Sequence, residues 1–175
     1  MNLQRREFIA LVTLCAANTK KAFAGATPQA LSQREYMLLD DLSETLLPRD
    51  DTGPGAHDAQ VAYYIDIVLK YSPAKEREFW KKGLLTIENL AQQRYQQAFA
   101  ECSRQQREEL MTELTKNEQA PQTELDHFFI EFKRLAIDAF YASQLIQREH
   151  LGYKGNTAIA EFAGCTHPNF EHTGI

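Results

Sequence analysis

Residues 125–140 carry the pattern that most constrains the fold. Leu125, Phe128, Phe129, Phe132, Leu135, Ala136, Ala139 and Phe140 recur at helical spacing. That period gathers them on one side of a helix, as a wide apolar face that neighbouring elements must cover. The spacing predicts the central helix of a bundle. No segment alternates polar and apolar residues as a half-buried strand does, so its neighbours are expected to be helices too.

Four further helices are predicted upstream. Ser32-Gln33-Arg34-Glu35 reads as a capping box, in which Ser32 and Glu35 satisfy each other's orphan amides. The helix it opens places Leu38, Leu39, Leu42 and Leu46 on one side, and Pro48 ends it. After the loop 48–55, a second helix is expected from about Asp58 to Tyr71, with Val61, Ile65, Val68 and Leu69 inward. Ser72 is expected to cap a third, long helix with Pro73 at its first position. Trp80, Leu84, Ile87, Ala91 and Tyr95 mark its buried stripe, and Gly83 suits close packing. Ser103 is expected to cap a fourth helix carrying Leu110, Met111 and Leu114. The fold class is therefore all-α: a compact single-domain bundle of about five to six helices. Beyond Ser143 the chain becomes rich in turn residues, as in Leu151-Gly152-Tyr153-Lys154-Gly155-Asn156.

The first 24 residues are of a different kind. Arg5 and Arg6 make a basic start, and a short apolar stretch runs from Phe8 to Ala17. Lys20 and Lys21 follow, then Ala22-Phe23-Ala24, the small-x-small form that signal peptidases cut. Arg5-Arg6-x-Phe8-Ile9 resembles the twin-arginine export pattern. The stretch is short of the roughly 20 apolar residues of a membrane span. Residues 1–24 are thus expected to be a cleavable twin-arginine signal and residues 25–175 the exported, periplasmic body. The bland alternative is a basic N-terminal helix on a cytoplasmic protein.

Removing that segment leaves 15 basic against 23 acidic residues, a net charge of −8. Such a body is unsuited to nucleic acid, which demands clustered Lys and Arg. Cys102 and Cys165 remain in it. In an oxidising compartment they form one disulfide, or Cys165 pairs with a partner chain; both options stay open.

Motifs of chemistry are missing where export of a folded, cofactor-loaded protein would want them. There is no Cys-x-x-Cys-His for attached haem, no P-loop and no dinucleotide fingerprint. Two cysteines fall short of an iron–sulfur cluster. Cys165, His167 and His172 match no metal spacing, and Asp50, Asp51 and Asp58 lack the order of a calcium loop. His127 beside the apolar face reads as a packed or solvated histidine. Neither a catalytic, a cofactor-binding nor a metal residue is assigned.

A resemblance supplies the missing cofactor in another chain. Pro48-x-Asp50-x-Thr52-Gly53-Pro54-Gly55-Ala56, then Val61-Ala62-x-Tyr64-Ile65-Asp66, resemble the gluconate 2-dehydrogenase subunit 3 family. So do Phe128-Phe129, Phe140-Tyr141, Leu151-Gly152-Tyr153-x-Gly155-Asn156 and Phe162-x-Gly164-Cys165-x-His167-Pro168. The resemblance implies a small, non-catalytic gamma subunit of a periplasmic sugar, sugar-acid or polyol dehydrogenase. It implies a large partner subunit of the glucose–methanol–choline family holding FAD, and in some complexes a multihaem cytochrome c carrying haem c. The small subunit then supports export through the twin-arginine translocase and maturation of the flavoprotein. The candidate partner interface is the 48–56 loop and the 151–170 tail, with Pro54, Gly55, Tyr153, Gly155, Asn156, Cys165 and His167. The rival readings are a self-standing enzyme using Asp126 or Glu131, and a free-standing periplasmic binding or chaperone-like protein.

Overall fold

The computed structural model describes residues 27–155, and among these every regular element is helical. Helix α1 spans Gln33–Leu46, α2 Ala56–Ala59, α3 Val61–Tyr71, α4 Ala74–Tyr95, α5 Arg104–Leu114 and α6 Glu124–Ala142. A 3₁₀ turn, Phe99–Glu101, links α4 to α5, and a π-helical turn, Leu145–His150, follows α6. Five of these helices have at least seven residues, so the all-α bundle expected from the sequence is what forms.

The long helices make a four-cornered arrangement. Helix α6 packs on α3 and α4, and α1 packs on the same two. The central role predicted for α6 alone is therefore shared. Leu39 and Leu42 of α1 are fully buried, as are Phe128, Phe129 and Phe132 of α6. Around Phe128 the rings interlock: Trp80 lies 5.4 Å away edge-on, Phe79 6.1 Å away and Phe132 6.2 Å away. Trp80 and Phe79 meet Phe128 with the positive edge of one ring against the negative face of the other, while Phe132 lies nearly parallel to it, 15° from coplanar. Gly83 makes room for this cluster, because a Cβ there would stand within 3.0 Å of three Phe128 ring atoms.

The Ser32 capping box forms as read: Ser32 Oγ accepts from the Glu35 amide and Glu35 Oε2 from the Ser32 amide. Ser103 and Gln106 do the same for α5. Thr123 and Asp126 repeat it for α6, with Asp126 also accepting the Gln122 amide. These amides hold the Asp126 carboxyl down to about 2, against the upward push of burial.

Three boundaries differ from the sequence reading. The predicted second helix is broken at Gln60, which is left-handed at φ 59°. At 3.6 residues per turn, positions 56 and 59 of one straight helix would face away from 61 and 65. All four are buried, so the chain turns at Gln60 to bring both sets inward. Ser72 does not cap α4; its Oγ donates to the Val68 carbonyl and it closes α3, leaving Pro73 as the cap. The π-helical turn carried no sequence signal beyond the buried Ile146.

Residues 29–31 are fastened to the body before α1 starts. Asp66 on α3 is almost wholly buried. Its two oxygens accept the amides of Gln29, Ala30 and Leu31 at 2.7, 3.0 and 3.0 Å.

Candidate partner-docking site

The 48–57 loop is tightly constrained. Pro48 prevents α1 from continuing, and the chain must reverse to reach α2. Glu44, in the last turns of α1, spans both ends of the reversal. Its Oε1 accepts the Arg49 amide at 2.9 Å and its Oε2 the His57 amide at 2.8 Å. The Ala56 amide donates to the Leu47 carbonyl at 2.8 Å. Asp58 accepts the Gly55 amide at 3.0 Å and pairs with Arg49 at 3.4 Å. At the tip, Asp50 accepts from the Thr52 and Gly53 amides and from the Thr52 hydroxyl. These bonds pull the Asp50 carboxyl below its usual value, the Thr52 hydroxyl most of all.

A second segment meets this loop. His150, at the end of the π-helical turn, lies against Gly53, where a Cβ would approach its Cε1 to 2.8 Å. Between them opens a polar cleft of about 450 Å³, walled by residues 49–54 with Asp58, Leu145, Glu149 and His150. The loop and the π-helical turn that precedes the 151–170 tail thus share one end of the bundle.

The predicted interface residues fall as follows. Pro54 is half-buried on the cleft wall. Gly55 is buried beneath Glu44, so it shapes the loop and offers no surface. Tyr153 is about half exposed, and its amide donates to the Gln147 carbonyl at 2.7 Å. Gly155 is exposed with φ of 95°, a left-handed value that suits glycine. Asn156, Cys165 and His167 lie outside the described residues, as do Arg5, Arg6, Phe8, Ala22 and Ala24. Cys102 is buried, with its thiol donating to the Ala98 carbonyl and burial pushing its pKa up. The second half of the Cys102–Cys165 pairing lies outside the described residues.

Sequence reading missed Glu44, Asp40 and His150, whose partners lie outside their own elements. The one available signal was the acidic run Asp40, Asp41 and Glu44 in the last turns of α1, where the macrodipole disfavours negative charge. The two carboxylates of the self-standing-enzyme reading are engaged in structural contacts. Asp126 caps α6 and Glu131 pairs with Arg134 at 2.8 Å. Among the described residues no group of three or more acidic, His or Cys side chains is placed to hold a metal, and no helix is long and apolar enough to cross a membrane.

Gly55→Ala tests the loop. Its Cβ would stand 2.5 Å from the Arg49 backbone nitrogen as well as against Glu44, so rotating the Glu44 side chain cannot relieve it. The variant is expected to lose about 2 kcal/mol in urea unfolding, in the range of overpacked sites. Unchanged stability would show that the loop yields easily.

In comparisons with known proteins, the family model described as gluconate 2-dehydrogenase subunit 3 matches residues 33–157. No curated protein matches, and no solved structure matches.

Proposed function

The chain belongs to the gluconate 2-dehydrogenase subunit 3 family, and on that premise we propose that it is the non-catalytic small subunit of an exported, FAD-dependent sugar or sugar-acid dehydrogenase. Membership implies a subunit of a dehydrogenase complex. The finer reading is that this subunit carries the export signal, escorts the folded flavoprotein to the periplasm and stabilises it there. FAD belongs to the large partner, of the glucose–methanol–choline type, and haem c to a cytochrome subunit where one is present.

The observation that carries the reading is the family match over residues 33–157, which takes in the 48–57 loop and the π-helical turn. The leader-like residues 1–24 support the export part, with Arg5, Arg6 and Phe8 in the twin-arginine pattern and Ala22-x-Ala24 at the cut. The use of the buried carboxylates supports the non-catalytic part. Asp66 and Asp126 are taken up by backbone amides, the usual way to keep a buried charge and not the arrangement of a general base.

The test is co-purification from the periplasm with an absorbance spectrum. A large flavin-bearing subunit is expected to come down with this chain. Arg5→Lys with Arg6→Lys is expected to leave both in the cytoplasm. A colourless chain recovered alone, with dehydrogenase export intact in its absence, would overturn the escort role and favour a free-standing binding protein.

A further inference from the structure

His57 stands where the loop returns to α1. Its amide is held by Glu44 at 2.8 Å, and its Nδ1 lies 3.0 Å from Asp40 Oδ2. One residue of α2 is therefore tied to α1 twice, once by backbone and once by side chain. Asp40 and Glu44 are four residues apart on one helix face, where like charges repel. The imidazole is the cation at hand to offset them. Arg49 is taken by Asp58, and Arg107 is taken by Asp41 at 3.2 Å.

We propose that the His57–Asp40 contact is a proton-operated latch, holding the 48–57 loop against α1 when the imidazole is charged and slackening when it is neutral. The groups acting on His57 from α1 are Asp40, Glu44 and Asp41. From its own helix and the loop come Asp58 and Arg49, already paired, and the π-helical turn contributes Glu149 and His150 to the cleft beyond them.

Burial by itself pushes the His57 pKa down. The hydrogen bond to Asp40 and the charges of Asp40, Glu44 and Asp41 outweigh it, and the value ends above 6.5. Burial pushes Asp40 up, with His57 opposing. A histidine raised in the folded state adds stability fully below its unfolded pKa and gives it up as pH rises through the folded one. The latch is thus closed in mild acid and slack in mild alkali. A neutral imidazole can still donate from Nδ1, but it no longer offsets Asp40 and Glu44, so the loop loosens without detaching. This goes beyond the escort reading and does not depend on it.

Amide hydrogen exchange of the whole chain tests it, read at the Arg49 and His57 amides and corrected for the intrinsic pH dependence of exchange. Between about pH 5.5 and about pH 8.5, spanning ordinary imidazole titration, protection is expected to fall about fivefold in the native chain. It is expected to be flat in His57→Gln and in Asp40→Asn, and to keep its fall in His150→Gln. A flat native profile overturns the latch, and so does a fall that survives both His57→Gln and Asp40→Asn. Loss of the fall in His150→Gln would also overturn it, assigning the response to the other histidine. Direct NMR titration of the His57 ring in the native chain needs no variant, and a midpoint below that of a free imidazole would equally overturn the proposal.

Discussion

Asp66→Ala is expected to lower the unfolding free energy by about 3 kcal/mol. One carboxylate accepts three consecutive amides, those of Gln29, Ala30 and Leu31. Hydrogen bonds to a charged group contribute roughly 1.5–3 kcal/mol each, and an orphaned buried amide costs about 1–3 kcal/mol. The full sum is not reached, because residues 27–30 have exposure enough to swing into water once released. What the chain then forfeits is the docking of the segment, including the buried Leu31. Asp66→Asn is expected to cost less. Its carbonyl can still take the Ala30 and Leu31 amides, while its NH₂ would face the Gln29 amide. Urea unfolding checks the size, with the midpoint moving and the slope unchanged. Amide exchange checks the mechanism: residues 29–31 should lose protection first. A loss under about 0.5 kcal/mol, the scale of ordinary surface changes, would show that the clamp is incidental.

The second large effect sits at Gly83. On propensity alone, alanine in the middle of α4 should stabilise the helix by about 1 kcal/mol over glycine. The expected result is the opposite, a net loss of about 2 kcal/mol. The new Cβ would overlap the Phe128 ring, which Trp80 and Phe132 hold on other sides. Overpacked cores pay about 1–3 kcal/mol or more, and this ring is fully buried with little room to slide. Phe128→Ala removes the ring and is expected to cost about 3–5 kcal/mol through the cavity it leaves. The two changes should not add. Combined with Phe128→Leu, Gly83→Ala is expected to cost at least about 1 kcal/mol less than the two separate losses summed. Additive losses, or a stabilising Gly83→Ala, would mean that α4 and α6 are freer to part than their packing suggests.

How much of this was legible depends on the range of the interaction. Short-range signals were read well. The three-four spacing of residues 125–140 marked α6, and the Ser32 box and the Ser103 cap marked the starts of α1 and α5. Each involves residues within a turn or two, so the sequence displays the whole interaction. Gly83 was legible as a close approach but not as the seat of Phe128, since its partner lies on another helix. Gln60 was not legible at all. Glutamine has no preference for a left-handed backbone, and the break exists only because Ala56, Ala59, Val61 and Ile65 must all reach the same core. The site shows the same division. Pro48, Gly53 and Gly55 announced a constrained turn. Glu44, Asp40 and His150, which hold it, had no period or motif to mark them, because their partners lie on other elements. Asp66 stood within a stretch that resembled the family, but what it grips lies some 35 residues earlier.

That grip also sets an order of events. A chain leaves the ribosome from its N-terminus, so Gln29, Ala30 and Leu31 emerge well before the carboxylate that will receive them. Their amides can close on Asp66 only after α3 exists and has been seated against its neighbours. Residues 29–31 therefore settle after α3, although they are made before it. Closing the grip certifies that α3 is in place.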